Sequence, residues 1–221
     1  MKQKKFAVAV DGPAGAGKST VSKVIAKKLG IEYIDTGAMY RAFTLKVLRS
    51  GIDIRNEESL KELLDSTEID FSEGHIYLDG KEVDREIREN EVTENVSDVS
   101  SIGAVREKLV DNQRKIAENK SVIMDGRDIG TNVLVNAKYK FFLNASLDER
   151  ARRRYEEIKD RGLSYEEIRE DIRIRDEKDR NREISPLKKA EDAHEVDTTD
   201  MDTDEVIQYI IDFIEKNEKS E

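Results

Sequence analysis

Short apolar runs alternate with longer segments of helical periodicity along most of the chain. Phe6–Val10 is a continuous apolar run, and the apolar residues of Gly17–Leu29 recur on one helical face. Later apolar runs occur at Ile31–Ile34, Val122–Met124 and Phe141–Leu143, and a shorter candidate region lies at Glu195–Val196. Such alternation is typical of βαβ units in a parallel sheet covered on both faces. The pattern predicts an α/β fold with about five parallel strands.

Two stretches depart from this alternation. Thr67–Val83 contains strand-like runs with turn signals, and Ile76–Val83 is a hairpin candidate whose turn is Asp79-Gly80. We expect a small antiparallel insertion there, followed by short helices to about Ser100. Ser146–Glu183 is helical and dense in charge, with Ser-x-x-Glu capping boxes predicted at Ser146 and Ser164. It forms either a mobile lid or an ordinary helical hairpin.

Composition narrows the class of protein. The 221 residues include 39 basic and 49 acidic side chains, which gives a net charge of −10 and makes non-specific nucleic-acid binding unfavourable. There is no cysteine, so disulfides and thiolate zinc sites are excluded, and His75 and His194 are too few for a histidine metal site. Apolar runs are too short for a membrane span, so we expect a cytoplasmic protein with no membrane partner. Since no long apolar stripe is left over, we expect a monomer.

The first loop carries the clearest motif. Gly12-Pro13-Ala14-Gly15-Ala16-Gly17-Lys18-Ser19 matches the P-loop pattern, with a strand before it and an amphipathic helix after it. Its glycines let backbone N–H groups converge on phosphate oxygens, and the helix N-terminus adds positive charge. Lys18 would reach the β- and γ-phosphates, and the Ser19 hydroxyl would ligate Mg²⁺. The motif predicts ATP and Mg²⁺ but leaves the phosphoryl acceptor open.

Other segments restrict the type of P-loop protein. The guanine-reading Asn/Thr-Lys-x-Asp segment of GTPases is missing, because Asn119-Lys120 is followed by Ser121-Val122, with Val122 at the position that requires Asp. The strand Val122–Met124 ends in Asp125, where a carboxylate could hold Mg²⁺ through water, and Arg127 follows it. An arginine at that place indicates a second anion rather than an attacking water.

Arginines cluster near the end of the chain. Ten of the 18 arginines fall within Arg150–Arg182. The inward stripe that starts at Ile168 and Ile172 continues through Arg175, Asp179 and Arg182, so its core-facing positions become charged. A substrate's phosphate and hydroxyls would satisfy these charges. Arg150, Arg153 and Arg154 also share one helical face and would close over the transferred phosphates.

Four motifs in register give a specific resemblance over essentially the whole chain. They are Asp11–Thr20, Asp35–Arg41, Gly126–Thr131 and Arg175–Arg182. In this order and spacing the chain closely resembles the bacterial cytidylate kinases, the (d)CMP kinase branch of the nucleoside monophosphate kinases. The resemblance implies a P-loop three-layer sandwich with a five-stranded parallel sheet, a small antiparallel insertion and a helical lid. It implies one P-loop kinase domain over residues 1–221, with a monophosphate-binding insertion at about 52–100 and a lid at about 150–165.

The resemblance also implies an activity and a set of site residues. The reaction would be transfer of the γ-phosphoryl group of ATP to CMP or dCMP, with Mg²⁺. By position, Arg41, Arg127 and Arg182 would hold the CMP phosphate, and Arg175 and Asp179 would contact the ribose. The remaining implied substrate positions are Thr36, Tyr40, Ser97, Arg106, Gly126 and Asp128, of which Ser97, Arg106 and Asp128 would read the cytosine. Lys18, Arg127, Asp128 and Arg182 would be the catalytic set.

The base-reading assignment agrees with hydrogen-bond chemistry. The exocyclic amine of cytosine is a donor and suits the Asp128 carboxylate, while its N3 and O2 are acceptors and suit the Arg106 guanidinium. Uracil reverses part of this pattern, which would disfavour UMP by about 1–3 kcal/mol. Two other interpretations stay open: a P-loop kinase for shikimate, gluconate or another nucleotide, and a non-catalytic nucleotide-sensing module.

Overall fold

The computed structural model describes residues 6–72, 74–158 and 162–218, and the chain divides into two compact units. The first unit contains Met1–Tyr33 and Asn119–Glu221, and the second contains Ile34–Glu118. Glu73, in one predicted turn, and residues 159–161, in the predicted lid, lie outside the described residues. None of the described helices has both the length and the apolar character needed to cross a bilayer.

The predicted five-stranded parallel sheet is confirmed. Its strands are β1 (Ala7–Asp11), β2 (Glu32–Asp35), β6 (Val122–Gly126), β7 (Tyr139–Asn144) and β8 (His194–Asp197), in the order β2-β6-β1-β7-β8. The central strand β1 pairs in parallel with both β6 and β7, and Val8 lies opposite Ile123 on one side and Tyr139 on the other. These three side chains are at most 2% exposed, since a central parallel strand is covered on both faces.

Four helices of the first unit flank this sheet or extend from it. They are α1 (Lys18–Leu29), α6 (Leu147–Ile158), α7 (Tyr165–Asn181) and α8 (Thr203–Glu218). The α7 capping box forms as predicted, with Ser164 Oγ accepting from the Glu167 amide and Glu167 Oε2 accepting from the Ser164 amide at 2.8 Å. The box at Ser146 forms only in part: its hydroxyl accepts from the Glu149 amide, but its own amide donates to Thr199. The Glu149 carboxylate is instead engaged by two arginines of its own helix.

The second unit holds the predicted antiparallel insertion. Its sheet has the order β3 (Ile69–Ser72), β4 (His75–Leu78), β5 (Lys81–Glu82). Asp79 and Gly80 both have positive φ, 50° and 75°, which is the geometry that a two-residue hairpin turn requires. The helices of this part are α2 (Thr36–Ser50), α3 (Glu57–Asp65), α4 (Asn90–Ser101) and α5 (Gly103–Asn119), with a 3₁₀ turn at Glu86–Arg88.

Candidate active site

The phosphate loop connects β1 to α1 and packs tightly on β7. Gly12 has a φ of 148°, and a Cβ at this position would lie 2.0 Å from the Leu143 carbonyl oxygen. Gly15 and Gly17 adopt left-handed conformations with φ of 74° and 79°. The loop therefore uses glycine where the backbone reverses and where it approaches a neighbouring strand. It ends at the N-terminus of α1, which offers backbone N–H groups and a positive dipole end to an anion.

Lys18 is held beneath this loop. The side chain is buried, and its Nζ donates to the Pro13 carbonyl oxygen at 2.6 Å. Burial, followed by repulsion from Arg127, lowers the pKa of Lys18 to about 7. A bound polyphosphate would stabilise the charged form of this lysine and raise its pKa. Lys18 thus lies near two cations, Arg127 and Arg175, whose repulsion a bound anion would relieve, and near the carboxylates of Asp125 and Asp11.

Hydroxyl and carboxylate oxygens lie close together near the start of α1. Ser19 Oγ donates to Asp125 Oδ2 at 2.6 Å, and Tyr33 Oη donates to Asp125 Oδ1 at 3.0 Å. Asp125 lies at the C-terminal part of β6 and is 4% exposed. Hydroxyl and carboxylate oxygens are the donors that Mg²⁺ prefers, and it commonly binds through a few of them together with substrate phosphates. The donor set of Ser19 and Asp125 fits this ion.

Four of the predicted residues form a buried charge cluster in the first unit. Arg127 Nε donates to Asp179 Oδ2 at 2.9 Å, and Arg182 Nη2 donates to Asp128 Oδ1 at 3.1 Å. Arg182 Nη1 also lies 4.0 Å from Asp179 Oδ1. Cations and anions therefore alternate, and each guanidinium has a fixed orientation before any ligand arrives. Gly126, at the end of β6, leads directly into this cluster.

The charges of this cluster set the ionisation of Asp179. Burial alone would raise the pKa of its carboxyl group, but Arg127, then Arg175 and Arg182, hold it below the usual value. Arg175 is half-buried and lies one helical turn before Asp179 on α7. Asp179 is therefore an anion that can accept hydrogen bonds.

Asp11 anchors the backbone that follows Asp128. Its carboxylate accepts from the amides of Ile129 at 2.8 Å and Gly130 at 2.7 Å, in a π-helical turn at Ile129–Val133. Asp11 is 3% exposed, and burial raises the pKa of its carboxyl group to about 6. The carboxylate fixes this turn and, with it, the backbone that follows Asp128 after the end of β6.

The three arginines expected over the ATP phosphates have different partners. Arg150 is buried and donates to Ala145 O and Ala14 O, and it pairs with Asp176. Arg153 binds the Glu149 carboxylate and the backbone carbonyl oxygens of Thr198 and Met201, which lie in the loop between β8 and α8. Arg154 pairs with Glu157. Their common helical face does not bring their guanidinium groups to one place, because each finds a nearer acceptor; a role at ATP stays a prediction.

The remaining predicted residues lie in the second unit. Arg106 is 2% exposed, its Nη1 donates to Ser100 O at 3.2 Å, and its guanidinium carbon lies 5.3 Å from the centre of the Tyr40 ring. Arg41 pairs with Asp35 at 3.0 Å.

Two other predicted residues of the second unit lie on helices. Thr36 is buried at the first position of α2, and Ser97 is half-buried on α4, where its carbonyl oxygen accepts from the Ser100 hydroxyl. The structure thus groups Tyr40 with Arg106, and Arg41 with Asp35.

Three residues of the first unit were missed as site residues by sequence reasoning. Asp11 ends β1 and Tyr33 lies within β2, and their partners are 118 and 92 positions away in the chain, so local spacing does not indicate these contacts. Asp176 accepts from the phosphate-loop amide of Ala14 at 2.9 Å. A signal for Asp176 was available, since it continues the i, i+4 spacing of buried positions on α7 that includes Ile172.

Comparison with known proteins places this geometry in a family. A model of the family described as "Cytidylate kinase" matches residues 8–216. "Cytidylate kinase" of Caldanaerobacter subterraneus subsp. tengcongensis is 54% identical over 216 residues, covering 97% of this chain and 96% of the relative. "Cytidylate kinase" of Clostridioides difficile is 53% identical, covering 92% of this chain and 95% of the relative.

A solved structure shares the fold at low sequence identity. An uncharacterized protein from Eubacterium ventriosum is 16% identical, covers 96% of this chain and 99% of its own, and superposes with a TM-score of 0.54. This likeness concerns the fold alone. The family match over nearly the whole chain and the two relatives above 50% identity are decisive: the chain belongs to the cytidylate kinase family.

Proposed function

We propose that the protein transfers the γ-phosphoryl group of ATP to CMP or dCMP, giving ADP and CDP or dCDP. The observation that carries this proposal is the buried cluster of Arg127, Asp128, Asp179 and Arg182, built on the same unit as a complete phosphate loop. Two relatives at 53% and 54% identity carry the name cytidylate kinase, which supports the same acceptor. The phosphate loop accounts for the donor, and the cluster accounts for an acceptor that carries both phosphate and hydroxyls.

The chemistry needs positioning and charge neutralisation more than covalent participation by the protein. A phosphate oxygen of the acceptor forms a bond to the γ-phosphorus of ATP. The bond between the γ-phosphorus and the oxygen that bridges it to the β-phosphate breaks, and ADP leaves with that electron pair. Lys18, the loop amides of Gly15–Thr20 and the α1 N-terminus bind the donor phosphates. Arg127 and Arg182 bind the acceptor phosphate and stabilise charge on the transferring group.

Mg²⁺ belongs to this proposal as a partner of ATP. Ser19 and Asp125 would hold it, because their oxygens fit the ion and lie 2.6 Å apart next to the phosphate loop. When bound, the ion neutralises charge on the β- and γ-phosphate oxygens. Tyr33 fixes the orientation of the Asp125 carboxylate through its hydroxyl.

The acceptor's sugar and base are assigned to the remaining residues. We propose that Asp179 and Arg175 hold the ribose, that Asp128, Arg106 and Ser97 read the cytosine edge, and that Tyr40, Thr36 and Arg41 complete the acceptor site. Arg106 supports this role because it is buried against an aromatic ring and directed by the Ser100 carbonyl oxygen, rather than solvated on a helix surface. We propose the insertion at about 52–100 as the monophosphate-binding region of a single kinase domain.

The test is a coupled ADP-release assay with ATP and Mg²⁺ over CMP, dCMP, UMP, AMP, GMP and shikimate. Turnover mainly on CMP and dCMP supports the reaction and the base-reading residues. Turnover confined to another acceptor would reject Ser97, Arg106 and Asp128 as cytosine readers. ATP binding without turnover on any acceptor would reject the kinase assignment in favour of a sensing module.

A further inference from the structure

Both backbone polar groups of Ala14, in the phosphate loop, are bound by side chains from two helices outside the loop. The Ala14 N–H donates to Asp176 Oδ1 of α7 at 2.9 Å, and the Ala14 carbonyl oxygen accepts from Arg150 Nη1 of α6 at 2.8 Å. The same Arg150 Nη1 donates to Asp176 Oδ2 at 2.6 Å. The three residues therefore form a closed ring of hydrogen bonds, which we name the Ala14 clamp.

The clamp is buried throughout. Asp176 is 3% exposed, Arg150 is 4% exposed and Ala14 is 7% exposed. A buried ion pair contributes little to stability unless its geometry is good and its remaining polar atoms are bonded. Here both carboxylate oxygens are engaged, and Arg150 Nε has a further acceptor in Ala145 O at 3.0 Å. The pair meets this condition, and it also holds the phosphate-loop backbone at Ala14.

The clamp also determines what Ala14 offers to a nucleotide. Its N–H is already used by Asp176, so ATP phosphates must be bound by later amides of the loop and by Lys18. Arg150 packs against the loop at the next residue, where a Cβ on Gly15 would lie 3.1 Å from the Cβ of Arg150. The loop is therefore ordered from two helices before the nucleotide arrives, which lowers the entropy lost on binding.

We propose that Asp176 is a positioning residue for ATP: its carboxylate fixes the Ala14 N–H, and Arg150 holds and neutralises that carboxylate beside a polyanion site. This inference rests on the proposed function only for the choice of ATP as the ligand. It adds a residue that makes no contact with the substrates in the proposed mechanism and acts through the loop backbone.

The test compares Asp176→Ala with Asp176→Asn, because the asparagine keeps a carbonyl oxygen that can accept from the Ala14 N–H. Dissociation constants for ATP and for CMP are measured separately by titration calorimetry, without turnover. We expect Asp176→Ala to weaken ATP binding about tenfold or more and to leave CMP binding within about twofold. We expect Asp176→Asn to recover most of the ATP affinity. Asp171→Ala, an exposed aspartate on the same helix, is the matched control.

Three outcomes would overturn the proposal. They are unchanged ATP affinity in Asp176→Ala, equal losses in the alanine and asparagine variants, and equal losses of ATP and CMP affinity, which would indicate a general structural defect. Hydrogen exchange in the unsubstituted protein gives a test that does not depend on the variants' folding. The Ala14 amide should be protected without nucleotide, and exchange at the rate of an unstructured peptide would reject the clamp.

The result is separable from the proposed function. If the unsubstituted protein fails to phosphorylate CMP, the proposed reaction is wrong, and the ATP affinities of the variants still decide the role of Asp176. If CMP is phosphorylated and Asp176→Ala binds ATP normally, only the inference about the clamp is wrong.

Discussion

Replacing Asp11 with asparagine should change how stability depends on pH. Asp11 is 3% exposed, and its carboxyl pKa is raised from 3.8 to about 6, chiefly by burial. The folded state therefore binds this proton more tightly than the unfolded state, and stability is lost as the pH rises from about 4 through 6. A shift of about two pKa units corresponds to about 3 kcal/mol lost in full above pH 6. Asparagine carries no charge and removes this dependence.

The substitution has a second effect that does not depend on pH. The Asp11 carboxylate accepts from two amides, Ile129 and Gly130, while an asparagine side chain has one carbonyl oxygen. One buried amide loses its acceptor, which costs about 1–3 kcal/mol at every pH. Asp11→Asn should thus be clearly less stable at pH 5, and its deficit should shrink by about 1–2 kcal/mol by pH 8.

Urea denaturation followed by far-UV circular dichroism at pH 5, 6, 7 and 8 and constant ionic strength measures this deficit. Asp171→Asn, on the exposed side of α7, controls for the general effect of removing one negative charge from an acidic protein. A deficit that stays constant over this range, or that grows towards pH 8, would refute the argument that burial dominates the ionisation of Asp11.

Four further results are expected. Arg182→Ala should lower turnover with CMP about 100-fold or more and leave the ATP dissociation constant nearly unchanged, because Arg182 contacts Asp128 rather than the phosphate loop. Equal losses of turnover and of ATP affinity would contradict this role. Asp179→Ala should raise the KM for CMP and dCMP, and unchanged values for both would remove it from the sugar site. ATP affinity, measured by calorimetry from pH 7 to 9, should fall by up to about tenfold per pH unit, because Lys18, whose pKa is lowered to about 7, loses its proton in this range. The Lys18→Met variant should show no such dependence on pH. Gly12→Ala would place a Cβ 2.0 Å from Leu143 O and should lower Tm by many degrees; a Tm within about 2 °C of the unsubstituted protein would show that the loop can move away.

The strand pattern and the phosphate loop were predictable because their signals are local. The inner strands β1, β6 and β7 consist mainly of consecutive buried residues, and all five predicted strands are present. The hairpin turn at Asp79-Gly80 was equally clear, since few residues tolerate positive φ. The charged continuation of the α7 stripe was also visible, because helical spacing alone places Asp179 beyond Ile172 on the buried face.

Local spacing does not determine which acceptor a long side chain binds where several acceptors compete for it. Arg150, Arg153 and Arg154 share a helical face, yet Arg150 turns to Asp176 and the phosphate loop, and Arg153 turns to the backbone near Thr198. The direction of a long side chain depends on which acceptor lies within reach after folding. The same limit explains why only half of the capping box at Ser146 forms.

The sequence by itself determined the order of strands and helices, the phosphate loop and the charged stripe on α7, because each depends on residues a few positions apart. Only the tertiary structure decided the roles of Asp11, Tyr33 and Asp176. Each of them binds a partner that is distant in the chain: the separation is 118 positions for Asp11, 92 for Tyr33 and 162 for Asp176. The sheet order brings Asp11 and Tyr33 to their partners, and the position of α7 brings Asp176 to the phosphate loop. Burial then requires the polar groups at these places to find partners.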